Sequence, residues 1–131
     1  MKYGEVFGRL TYELAAIVFL KKDGKIRVML GTRNLRTAEL EYGFLGQKLG
    51  GRDRNCNIDN GNIALIDMVI GEVRSFNIER LLSIDFLGEV RSKEEYDKVY
   101  KDFIEFKEEY EASKPMELTM DTFDIKTQQE D

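Results

Sequence analysis

The stretch FLKKDGKIRVML, Phe19 to Leu30, decides the fold. It completes an apolar run, LAAIVFL from Leu14 to Leu20, that is short for a helix. Ile17, Val18 and Phe19 within it favour a strand buried on both faces. Lys21-Lys22-Asp23-Gly24 then turns the chain, and Gly24 is free to take the positive φ of a type I turn with a glycine bulge. Lys25 to Leu30 returns with alternation: Ile26, Val28 and Leu30 share one face, and Lys25, Arg27 and Met29 the other. The two runs read as an antiparallel hairpin.

Further along the chain the plan recurs. Gly61 to Met68, GNIALIDM, reads as a strand; Val69-Ile70-Gly71 turns; Glu72 to Ile78, EVRSFNI, returns. Asn77 to Arg80 is a short link. Arg80 to Leu87 is a last strand with Leu82, Ile84 and Phe86 on one face. Five short antiparallel strands suit a small barrel, whose closure removes exposed edges. Between the hairpins, Gly31 to Gly61 reads as one long loop. Thr37 to Tyr42 fits either a single helical turn or a short strand, and Gly43, Gly46, Gly50 and Gly51 interrupt the segment beyond it. A loop of that length in a small domain is either functional or without fixed structure.

After Gly88 the period changes. Ser92-Lys93-Glu94-Glu95 is a capping box. Tyr96, Val99, Tyr100, Phe103, Phe106 and Tyr110 then form a stripe at helical spacing, which predicts an amphipathic helix from Lys93 to about Ala112, ended by Pro115. The expected fold class is mainly β with a C-terminal helix: a small five-stranded barrel plus one amphipathic α-helix. The expected map is a barrel over 1–90 with its long loop at 31–61, a helix over 91–114, and an acidic mobile tail over 115–131.

The 131 residues suffice for one domain, and the net charge of −5 is unevenly spread. Residues 1–92 carry 14 Lys+Arg against 12 Asp+Glu, a net of +2, whereas residues 93–131 carry 6 against 13, a net of −7. The bland reading is a solvated helix and tail; the alternative is a nucleic-acid-facing body with an acidic appendage. No apolar run approaches the length of a membrane span, and the first residues lack the apolar core of a signal peptide. One cysteine, Cys56, allows no internal disulfide, which fits a cytoplasmic location.

Two segments, FLKKDGKIRVMLGT (Phe19 to Thr32) and NIALIDMVIGEVRSFNIERLLSIDFLG (Asn62 to Gly88), resemble small phage and bacterial proteins with a Sm-like, SH3-type barrel, related in fold to WYL domains. The matching positions are Lys22, Asp23, Gly24, Arg27, Thr32, Asp67, Arg74, Ser75, Phe76 and Arg80. The resemblance implies the barrel, a phage-encoded protein acting in the host cytoplasm, and binding of nucleic acid or a small regulatory ligand. It does not extend to Leu35 to Asn60 or beyond Val90, and likeness of fold does not fix function.

Candidate chemistry is thin. There is no histidine, so the commonest general base and metal ligand is missing. One cysteine makes neither a structural zinc site nor a Cys-His pair. Asp53, Asn55, Asn57 and Asp59 resemble a calcium loop, but the glycine is misplaced and the closing glutamate is missing. The expectation is therefore no enzyme, no metal and no cofactor. Arginine remains, since its planar fork suits phosphates. The candidate ligand or nucleic-acid residues are Arg33, Arg36, Tyr42, Phe44, Lys48, Arg52 and Arg54 of the long loop, with Tyr42 and Phe44 as stacking surfaces. Against this stands a structural role, with the arginines in ion pairs and the aromatics in the core. The rival function is a protein-interaction module that binds a host protein through Tyr96, Tyr100, Phe103 and Phe106, or a homo-oligomer that covers the same stripe. Intramolecular packing of that stripe is its bland alternative. Capture of a signalling nucleotide between subunits is a third reading, through the same loop arginines.

Overall fold

The computed structural model describes residues 2–43 and 56–113. In chain order the elements are α1 (Tyr3–Tyr12), β1 (Ala15–Leu20), β2 (Ile26–Thr32), α2 (Leu35–Tyr42), β3 (Asn62–Asp67), β4 (Glu72–Asn77), a 3-10 turn (Ile78–Arg80), β5 (Leu81–Phe86) and α3 (Lys93–Ser113). The five strands form one antiparallel sheet in the order β4-β3-β2-β1-β5. This is the expected mainly-β architecture with its C-terminal helix. No helix among the described residues is long and apolar enough to cross a membrane.

The β1–β2 hairpin closes as its sequence demands. Gly24 has φ 87°, its amide donates to the Lys21 carbonyl, and Asp23 Oδ1 accepts from the Lys25 amide at 2.9 Å. Every residue of β1 is buried, because the sheet carries helices on both faces. On one face Ala16, Val18, Leu20, Ile26, Val28 and Leu30 pack with Tyr96 and Phe103 of α3 and Ala38 of α2. On the other, Ala15, Ile17, Phe19, Met29, Ile63, Leu65 and Phe76 pack with Val6 and Leu10 of α1. Fully burying a side chain of this size stabilises by roughly 1.5–3 kcal/mol.

Helix α1 is not among the elements expected from the sequence. Its buried side is Val6 and Leu10, with Tyr3 and Phe7 packed beside them. Its last carbonyls are satisfied from β2: the Thr32 hydroxyl donates to Glu13 and Leu10, and the Arg33 amide donates to Leu10. Thr32, a position of the family resemblance, is thus a buried structural polar group.

The expected loop 31–61 is also corrected. Gly31 and Thr32 finish β2, and Leu35–Tyr42 is an eight-residue helix rather than one turn or a strand. Asn34 caps it, its side chain accepting from the amides of Arg36 and Thr37. Asn57 and Asn60 accept each other's amides across a tight turn, the structural role that competes with the calcium reading. Helix α3 begins at the foreseen capping box, where Ser92 Oγ accepts from the Glu95 amide at 3.2 Å. The expected acidic tail lies outside the described residues.

Candidate anion-binding cleft

The β1–β2 turn, the start of β2, β4 and the 3-10 turn meet around an open cleft of about 710 Å³. Lys21 and Lys22 come from the turn, Arg27 from β2, Arg74 from β4 and Arg80 from the 3-10 turn. No carboxylate lines the cleft among the described residues. Its apolar boundary includes Phe19 and Phe76, whose ring centroids are 5.7 Å apart. Both rings are almost wholly buried, so they shape the site and offer no exposed face for stacking. Asn62, Ser75 and Asn77 add polar groups to the rim, and the Asn77 amide nitrogen donates to Asn62 Oδ1 at 2.9 Å.

Strand pairing fixes several of these side chains. Arg27 lies opposite Phe19 across the β1–β2 ladder, and Arg74 lies opposite Leu65 across β3–β4. Arg80 donates to the Lys21 carbonyl at 3.1 Å, which ties the 3-10 turn to the hairpin. Arg27 and Arg74 are close enough to repel. Burial first, and then the neighbouring Arg74 charge, draw the Arg27 guanidinium below its ordinary pKa, against the pull of Asp67 and Asp23. Among the described residues Arg27 makes no ion pair.

Arg74 has one anionic neighbour. Its Nε lies 3.1 Å from Asp67 Oδ2, yet the approach lacks hydrogen-bond geometry and this buried N–H is left unsatisfied. Asp67 spends its other oxygen, Oδ1, on the Val69 amide at 2.9 Å. Lys21 lies 3.5 Å from Asp23, at the exposed tip of the turn. Among the described residues the arrangement concentrates positive charge, with Asp67 and Asp23 the carboxylates nearest to it. A phosphate or carboxylate would relieve the repulsion and accept from two planar forks.

A family model described as WYL_2, Sm-like SH3 beta-barrel fold, matches residues 5–82, more than half the chain. The chain belongs to the WYL_2 family. No curated protein and no solved structure gives a significant match. In this WYL_2 chain the positions Lys22, Arg27, Arg74, Ser75, Phe76 and Arg80, singled out by resemblance in the sequence, all line the cleft. In the sequence they mark the barrel, and none of them is among the candidate site residues. The signal that points to them is the recurrence of a cation on each of three strand-edge segments.

Of the loop residues proposed from sequence, three are among the described residues, Arg33, Arg36 and Tyr42, and each has its own surroundings. The Arg33 guanidinium stacks over Phe7 at 4.2 Å and donates to the Ala64 carbonyl, bracing α1 against β3. Tyr42 donates its hydroxyl to the Met68 carbonyl and packs with the core on the α2 and α3 face of the sheet. Arg36 is exposed on α2, beside Glu89 and Arg91. Phe44, Lys48, Arg52 and Arg54 lie outside the described residues.

The helix stripe is largely used within the chain. Tyr96 and Phe103 are each 2% exposed against the barrel, and burial lifts the Tyr96 phenol well above its usual range. Tyr96 also donates to the Met68 carbonyl at 3.4 Å. Tyr100 is half-buried, and Phe106 alone of the four stands substantially in solvent. The apolar surface that pointed to a second copy or a host protein is thus mostly covered by the protein's own sheet.

Proposed function

We propose that this WYL_2 protein is a non-enzymatic regulatory binding protein that takes a phosphate-bearing ligand, foremost single-stranded nucleic acid, in the cleft between the β1–β2 turn and β4. The observation that carries this reading is the cleft's lining: five cations, Lys21, Lys22, Arg27, Arg74 and Arg80, with no carboxylate among its described residues. A guanidinium pair partly withdrawn from water favours an anion with several acceptor oxygens over a lone carboxylate. The burial of Phe19 and Phe76, the aromatics among the cleft's described residues, favours recognition of the backbone over the bases. This reading puts the site on the cleft arginines in place of the loop arginines expected from the sequence, and keeps the ligand class.

The test is titration of a labelled oligothymidylate at several salt concentrations, with wild type and with the double variant Arg27→Ala/Arg74→Ala. Phosphate binding predicts affinity that falls steeply with salt, and a shallower slope in the variant. A salt-independent interaction, or equal affinity in both proteins at preserved fold, would refute the reading. Binding of a free nucleotide but not of the oligomer would leave the cleft as the site and replace nucleic acid by a signalling nucleotide.

A further inference from the structure

We infer that the cleft takes the end of a nucleic-acid strand: a terminal phosphate monoester held by Arg27 and Arg74, in preference to an internal diester. The inference rests on the reading of the cleft as a phosphate site and names the form of phosphate it selects. The observation behind it is a change of character along the site. An adjoining groove of about 240 Å³ shares Lys21, Arg27 and Arg74 with the cleft, so these three stand at the junction of the two spaces. On the cleft side Lys22 and Arg80 continue the positive lining, with no carboxylate among the described residues. On the groove side the lining turns acidic and apolar. Asp67, only 6% exposed, lies beside Arg74, and Val28, Val69 and Ile70 add hydrocarbon. Lys107 is the groove's one further cation among the described residues, and it lies 3.8 Å from Glu111 of the same wall, so its charge is already balanced. A strand held along its length needs a positive track on both sides of each contact. Here a polyanion entering past Lys22 and Arg80 meets carboxylates and hydrocarbon beyond the junction, so its backbone stops there.

The junction also suits the chemistry of an end. A terminal monoester carries about −1.5 to −2 charge at neutral pH and three strong acceptor oxygens, whereas an internal diester has one charge and two free oxygens. Arg27 and Arg74 offer two planar forks, each able to donate twice to a phosphate. Arg74 also keeps a buried Nε–H without an acceptor among the described residues. Two forks ask for more acceptors than a diester supplies, and the third oxygen of a monoester meets the demand. Asp67 sharpens the choice. It already neutralises part of the Arg74 charge, so a dianion competes for that guanidinium where a monoanion gains little.

The test is calorimetric titration of the full-length protein with a short oligothymidylate made in four forms: hydroxyl at both ends, phosphate at the 5′ end, phosphate at the 3′ end, and a 5′ phosphate capped as its methyl diester, with a similarly capped 3′ form if that end is preferred. One phosphate-ended form is expected to bind about ten-fold tighter than the hydroxyl form, the gain from added charge-assisted contacts, and the form that gains identifies the end that is seated. The methyl cap should remove most of the gain. Arg27→Ala should abolish the preference for the phosphate end, whereas Lys22→Ala should weaken every form and keep the preference. Equal affinity for the hydroxyl and phosphate forms overturns the inference and leaves the cleft as a site for internal phosphates. A gain that survives the cap, or survives in folded Arg27→Ala protein, also overturns it. Failure of every form to bind overturns the proposed function and this inference together.

Discussion

Arg27 and Arg33 stand near the two ends of strand β2, yet their surroundings make them different residues. Arg33 has an aromatic face at 4.2 Å and a carbonyl acceptor, so its charge is spent inside the fold. Arg27 has another guanidinium for a neighbour and no ion pair among the described residues. The lesson is that an arginine's role is set by what its own sheet places opposite it, and that the charge left uncompensated by the fold is the one to suspect of binding.

The largest effect should come from the cleft. Arg27→Ala/Arg74→Ala is expected to weaken oligonucleotide binding about 100-fold, the loss of two charge-assisted contacts, while thermal stability changes little. Next comes the other end of the strand. Arg33→Ala should cost about 2 kcal/mol in urea unfolding, from the lost Phe7 and Ala64 contacts, and leave the salt slope of binding unchanged. Should these two outcomes be exchanged, the comparison is broken. Asp67→Asn sharpens it more gently. It frees Arg74 from its anionic neighbour while an amide oxygen can still accept from Val69, so affinity should rise about three- to ten-fold in a calorimetric titration. Smallest of all, Arg36→Ala on the exposed face of α2 should shift neither stability nor binding by more than about 0.5 kcal/mol.

The hairpins are legible in the sequence because their turns and alternation are local. Asp23 and Gly24 specify the turn, and Ile26, Val28 and Leu30 specify a face, without help from distant residues. Helix α3 is equally legible from Ser92, Glu95 and the aromatic spacing. Helix α1 is hard to see although Tyr3, Val6, Phe7 and Leu10 fall at helical spacing, because Gly4 and Gly8 weaken the local preference and the tertiary contacts override it. Helix α2 is half-legible: Thr37 to Tyr42 suits a helical turn, but its true start depends on the Asn34 cap, three residues upstream. The cleft is the least legible. Its cations lie in segments around residues 21–27 and 74–80, which the strand order and the Arg80–Lys21 bond bring together. Residue density along the chain favours the loop instead, where Arg33 and Tyr42 are structural.

The central strand β1 also carries a consequence for synthesis. It pairs with β2 on one edge and with β5, from Leu81 onward, on the other; one face waits for Tyr96 and Phe103. While the ribosome is still adding those residues, LAAIVFL has an open edge and an uncovered face, the combination that seeds aggregation. The same holds for any fragment cut near residue 82. Productive folding must therefore wait until α3 has emerged, and a helix that contributes little to the cleft's lining acts as the gate on solubility.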